Sequence, residues 1–276
     1  MANFEVKIEG SFEILTDEEW NRYLGTTLFD KIKIDLNKFD SYKERIFLYP
    51  LLEQSIKAQN NKVGSMIITY ALCRHYYNKG IPDDPWYKSP GDNGESIQYM
   101  PEFKEEHWMR RYWFNHFAES MYLKFFSVWD CITELLDIFY GLHIEHNTGF
   151  KFNLLKWLKK NKPDVAEFLE DNVFKAPLYI QASDYRNNFT HGIAPSEISN
   201  GFILKKDELV DIIKRDADGK PILDDQHRPI TEKKKATVLS CKAGDYTIVK
   251  TIMDNIDNFA VFTGEKITGL INLILA

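Results

Sequence analysis

From Glu102 to Tyr140 the chain contains neither Gly nor Pro, and apolar residues recur at Tyr122, Phe125, Phe126, Trp129, Ile132, Leu136, Phe139 and Tyr140. Steps of three and four predict one long helix with a single buried face. Ser127, Asp130, Glu134 and Asp137 fall on another face, read as a solvated polar stripe. Gly141 is the expected stop, since only a residue tolerant of left-handed backbone ends a helix cleanly. Shorter helical patterns follow at about 150–160, 164–172 and from Leu178 toward His191, with Pro195 beyond. A last apolar series, Ile248, Ile252, Ile256, Phe259, Ile267, Leu270 and Ile274, predicts a final helix, with Asp245 as its cap.

The N-terminal part is more broken. Phe4, Val6 and Ile8 alternate within 4–14 as a short strand does. Thr16 with Glu19, and Ser41 with Glu44, have the spacing of capping boxes. The first opens a short helix ending near Gly25. The second opens a helical stretch through Leu52 and Ile56 that breaks at Asn60-Asn61, and a further helix carries Val63, Ile67, Tyr70 and Ala71 and stops before Gly80 and Pro82. Residues 81–100, around Trp86, combine Pro, Gly and polar breakers and mark a boundary. Residues 203–244 read as β. Asp218-Gly219 is a hairpin signal between Ile212/Ile213 and Ile222/Leu223, and Thr237-Val238-Leu239-Ser240 suits a strand. No internal repeat is evident. The fold class expected is mainly α: a helical bundle with a small inserted β hairpin or sheet. It divides into an N-terminal helical region, 1–100, of open role, and a helical domain, 101–276, interrupted at about 203–244.

Composition narrows the function classes. With 276 residues and 19 Phe, 14 Tyr and 6 Trp, the chain can bury a sizeable core. A net charge of −6 excludes a global basic field for nucleic acid, so any such contact is local. Cys73, Cys131 and Cys241 are odd in number and far apart, which argues against a disulfide framework. Neither a signal peptide nor a membrane span is read, and the expected location is the cytoplasm.

The candidate chemistry lies in Arg186-Asn187-Asn188-Phe189-Thr190-His191. Arginine offers phosphate a planar fork of donors. Histidine, with an unperturbed pKa of about 6.5, suits proton transfer near neutrality. Arg followed five positions later by His occurs again at Arg111 and His116, and chance alone gives about 0.2 such pairs. Requiring Asn, Asp or His directly after the arginine, as Asn187 satisfies, lowers that to roughly 0.03.

Arg186, the polar Asn187, three variable residues and His191 resemble the ribonuclease motif of the HEPN superfamily, helical domains of prokaryotes and higher eukaryotes. The long helix before the motif and the apolar helix after it are also similar. The resemblance covers roughly 101–276, with 203–244 as a departure from the minimal bundle. It implies a metal-independent endoribonuclease, toxin-like or defence-related, in which the RNA 2′-hydroxyl attacks the adjacent phosphate. It implies no cofactor and no metal, RNA as substrate or ligand, a homodimer that brings two motifs together, and a cognate antitoxin protein as a further partner. His191 would serve as acid and base, Arg186 would stabilise the phosphorane, and Asn187 would orient the histidine or the phosphate. Asp130, Asn188 and Thr190 are supporting candidates. The alternative is a catalytically silent helical module that binds nucleic acid or a protein partner. Its structural counterpart has Arg186 in a salt bridge to Asp130 or Glu134 and His191 as a satisfied cap.

Arg110-Arg111 with Trp108, Tyr112 and Trp113 mixes cations with aromatics as RNA-stacking surfaces do, though an aromatic run in a helix is more often core. His143 and His146 are poorly spaced for a metal. Asp216-Ala217-Asp218-Gly219 is read as a turn rather than a calcium loop, because position twelve is His227. Lys233-Lys234-Lys235 is the clearest local positive patch.

Overall fold

Long apolar periodicities become long helices in the computed structural model, which describes residues 12–24, 32, 44–199, 202–241 and 243–275. In order these are α1 (Asp17–Leu24), α2 (Tyr49–Asn78), strands β1 (Tyr87–Lys88) and β2 (Gln98–Tyr99), α3 (Glu105–Tyr140), α4 (Phe150–Asn161), α5 (Pro163–Glu167), α6 (Pro177–His191), β3 (Phe202–Ile213), β4 (Thr231–Cys241) and α7 (Val249–Leu275). Short π-helical turns lead into α2 and follow α5. The chain is mainly α. Among the described residues no helix is long and apolar enough to cross a membrane.

Paired contacts fix how the four main helices run. Lys62 donates to Ser127 at 2.7 Å and Lys124 to Ser65 at 2.6 Å, so α2 and α3 are antiparallel. Tyr122 donates to Asn255 at 2.8 Å and Phe125 meets Phe259 edge-on at 4.9 Å, so α7 runs parallel to α3. Gln181 accepts from Asn255, while Tyr179 packs on Phe259, so α6 opposes α7. The result is a four-helix bundle of α2, α3, α6 and α7. Trp129, Tyr122, Phe125, Phe259, Leu52 and Met66 are fully buried within one hydrophobic cluster. That cluster lies on both sides of the 81–100 loop, so the segment marked as a boundary joins two helices of one core rather than separating two cores.

Several elements depart from the expected local pattern. Asn60-Asn61 does not break α2. Asn60 instead turns its amide to Ile32, accepting from its N–H at 3.0 Å and donating to its carbonyl at 3.1 Å, and a satisfied side chain offsets the poor helix propensity. The first turn of α7 is held by Asp83, which accepts the Val249 N–H at 2.7 Å, four positions after the expected cap at Asp245. The box at Thr16 and Glu19 forms reciprocally, at 3.3 and 2.9 Å. Gly141 stops α3 with a φ of 61°. The strand expected over 4–14 and the box at Ser41 fall mostly outside the described residues, and 12–14 is not a strand.

A smaller unit, Glu197–Tyr246, carries the antiparallel pair β3–β4. Ile213 pairs with Thr231, not with Ile222/Leu223, so the hairpin read at Asp218-Gly219 is only part of the connection. The connection holds two turns of one design, a repeat missed in the sequence. Asp216 Oδ1 accepts from the N–H groups of Asp218 and Lys220, and eight residues later Asp224 Oδ1 accepts from Gln226 and Arg228. Each turn has one residue at positive φ, Gly219 or His227, and each is followed by Pro-Ile. The Asp216 segment is therefore a turn, as expected, and its side-chain hydrogen bonds make it an Asx turn. The insertion leaves and rejoins the bundle at one point, where the Thr247 N–H donates to the Pro195 carbonyl at 2.7 Å.

Candidate active site

The motif occupies the last turns of α6, a helix anchored in the core by its apolar face. Tyr179, Ala182, Tyr185 and Phe189 recur at helical spacing and face inward. Tyr179 packs edge-on against Phe126 at 5.3 Å, and Tyr185 and Phe189 close on Tyr122 at 5.6 and 5.9 Å. Tyr122, Asn255 and Gln181 form a hydrogen-bonded chain across three helices. Burial pushes the Tyr122 and Tyr179 hydroxyls up, so both remain neutral donors. Asn255 and Gln181 carry no sequence signal beyond being polar residues in apolar helices.

At about 100° per residue, Arg186, Asn187 and His191 span an arc of about 140° on the helix surface. Asn187 and His191 are one turn apart and exposed. Arg186 is half-buried, with its guanidinium 5.0 Å from the Phe126 ring centre. Its Nε is buried without a hydrogen-bond partner. No carboxylate among the described residues lies within ion-pair distance of it. Asp130 is taken by Lys151 at 2.6 Å, and Glu134 lies 3.9 Å from His146. The salt bridge from Arg186 to Asp130 or Glu134 is therefore absent, and Asp130 does not orient Arg186 directly. Phe126, read from sequence only as core, is the missed residue: it is the platform of the cation.

The remaining candidates separate by role. The Thr190 hydroxyl donates to the Arg186 carbonyl, a back-bond within the helix. Asn188 is exposed, and its carbonyl accepts the Gly192 N–H at 3.1 Å. The second Arg/His pair is engaged in structure. Arg111 donates to the Ser196 carbonyl, 3.2 Å from Nε, and lies over Trp108 at 5.6 Å, while His116 packs edge-on against Phe117 at 5.1 Å. Arg111 thereby anchors the segment that follows His191. Arg110 donates to the Lys79 carbonyl at 2.8 Å.

The polar stripe of α3 is not simply solvated. Besides Asp130 and Glu134, Ser127 accepts from Lys62, and buried Asp137 accepts the Ile144 N–H at 3.1 Å. No group of His, Cys, Asp and Glu among the described residues is arranged to hold a metal. His146 instead stacks on Phe150 at 4.6 Å. The lysine triplet is not one patch either. Lys233 and Lys235 face one side of β4 and Lys234 the other, because side chains alternate along a strand. Cys73 and Cys131 are buried free thiols, and burial raises the Cys73 pKa, leaving it inert.

A protein-family model described as HEPN_Cthe2314-like HEPN matches residues 56–254. That span begins within α2 and includes the motif, the β3–β4 unit and the start of α7. No curated protein and no solved structure matches the chain.

Proposed function

The chain belongs to the HEPN superfamily, within the Cthe2314-like family, and on that footing we propose that it is a metal-independent endoribonuclease. The observation that carries this reading is Arg186, a half-buried cation beside an exposed helix end with no carboxylate partner among the described residues. A structural arginine so placed would be expected to bind an acid, since an unpaired buried donor costs about 1–3 kcal/mol. An arginine that waits for phosphate is left free.

The reaction divides among three residues. The 2′-hydroxyl of one nucleotide attacks the adjacent phosphorus, and the bond from phosphorus to the 5′-oxygen of the next nucleotide breaks. The products are a 2′,3′-cyclic phosphate and a free 5′-hydroxyl. His191 takes the proton from the 2′-hydroxyl or returns one to the leaving oxygen. Arg186 places its fork against the equatorial oxygens, where negative charge grows in the phosphorane. Asn187, one turn before His191, holds the phosphate or the imidazole by hydrogen bonding. One chain has one such histidine, so a two-fold dimer with both motifs in one cleft supplies base and acid together. Ile180 and Ile193, exposed on either side of the motif, give that interface apolar contact.

The test is cleavage of a broad RNA panel by the wild-type protein and by His191→Ala. Loss of about 10²–10⁴-fold with folding and RNA affinity retained supports the reading. RNA binding with no cleavage by the wild-type protein overturns it in favour of a silent binding module.

A further inference from the structure

Beside the C-terminal half of α3 lies a cleft of about 320 Å³ lined by Asp130, Glu134, His146, Asn147, Phe150 and Lys151. Its volume is at the lower end of the range of small-molecule sites, about 300–1,000 Å³. Two features give it a chemical character. First, His146 lies flat on Phe150, with an interplanar angle of 16°. Phe150 is 8% exposed, so His146 is the outer ring of a two-ring stack and offers its open face. Such a face accepts a nucleobase by stacking. Second, the Asp130 carboxylate and the Lys151 ammonium sit side by side at 2.6 Å. Together they present two acceptor oxygens next to a donor. Guanine is the base whose pairing edge complements this, with an acceptor at O6 beside donors at N1 and N2. Adenine, cytosine and uracil each offer one donor beside an acceptor on that edge, so they meet Lys151 and one carboxylate oxygen but leave the second oxygen of Asp130 without the donor that guanine supplies.

The cleft also lies next to the motif. Asp130 follows Phe126 by one turn of α3, and Phe126 carries the Arg186 guanidinium. Asp130 and Arg186 both act on the Tyr179 hydroxyl, in opposite senses. The cleft and the platform of Arg186 are thus built on adjoining turns of the same helix. We propose that this cleft is a guanine-selective nucleotide subsite, with His146 as the stacking face and Asp130 and Lys151 as the readers of the base edge. This rests on the ribonucleolytic reading of Arg186 and His191 for its biological sense, but not for its test.

The test is equilibrium binding of GMP, AMP, CMP and UMP to the full chain by titration calorimetry, repeated with Asp130→Asn, Lys151→Met and His146→Ala. The expected result is GMP binding at least ten-fold more tightly than the others. Asp130→Asn and Lys151→Met should remove that preference, and His146→Ala should weaken all four nucleotides alike. Equal affinities for the four bases, or a preference that survives both Asp130→Asn and Lys151→Met, overturn the proposal. Guanine-selective binding by a protein that cuts no RNA sustains the subsite and sinks the ribonuclease reading. RNA cleavage without guanine-selective binding sinks the subsite alone.

Discussion

Arg186 and Arg111 show how two arginines, each five positions before a histidine, come to differ. Arg111 spends its fork on the Ser196 carbonyl, whereas Arg186 rests on Phe126 with Nε unmatched. Arg186→Lys keeps the charge but loses the planar fork, so cleavage should fall by roughly 10²–10³ while RNA affinity changes little. Steady-state kinetics beside a binding isotherm would check this, and an equal loss in both would point to simple electrostatic attraction. Arg111→Ala removes a charged hydrogen bond to the segment after His191. It should lower stability by about 1.5–3 kcal/mol in urea denaturation and reduce cleavage less than Arg186→Ala does. The motif is legible in sequence because its residues are contiguous. Its surroundings are not. That Asp130 belongs to Lys151 and not to Arg186 depends on how α4 meets α3, which no local spacing encodes.

Elements show the same division between local and distant causes. The ends of α1 and α3 are readable, because Thr16, Glu19 and Gly141 act within a turn of themselves. Asn60 and Asp83 mislead, because their partners lie 28 and 166 residues away in sequence. Asp83→Ala exposes the dependence of α7 on that distant cap. The expected loss is about 0.5–2 kcal/mol by chemical denaturation, and an unchanged midpoint would mean that the Val249 N–H finds another acceptor. A second prediction concerns α1. Glu19 is held below the usual carboxylate range, first by the Thr16 N–H and further by His75, whose ring lies 2.9 Å away. A carboxyl lowered in the folded state stabilises that state above its unfolded pKa, and the contribution is lost as pH falls through the folded value. Amide exchange protection of residues 12–24 should therefore drop below about pH 4.3, the ordinary glutamate value. Glu19→Gln should abolish that pH step, and a step that persists in Glu19→Gln would assign the effect to another group.

At the scale of the whole molecule the bundle is legible because α3 and α7 carry unbroken apolar series that become buried faces. Residues 81–100, marked as a boundary, join two helices of one hydrophobic cluster, since Pro and Gly mark a long connection as readily as a domain edge. The connecting turns at Asp216 and Asp224 are missed as a repeat because only Asp, the basic residue, Pro and Ile recur. If base and acid come from two copies of His191, the protein is a two-fold dimer. Sedimentation equilibrium at micromolar concentration should then give about twice the 32.4 kDa of one chain, and a monomer would leave the mechanism one proton-transfer group short. The central claim is that Arg186 and His191 cut RNA through its own 2′-hydroxyl without a metal. Its most direct test is end-group analysis of RNA incubated with the purified protein in excess EDTA. The expected result is cleavage that leaves 2′,3′-cyclic phosphate and 5′-hydroxyl ends and disappears with His191→Ala. Products with 3′-hydroxyl and 5′-phosphate ends, formed only when Mg²⁺ or Mn²⁺ is restored, would contradict it.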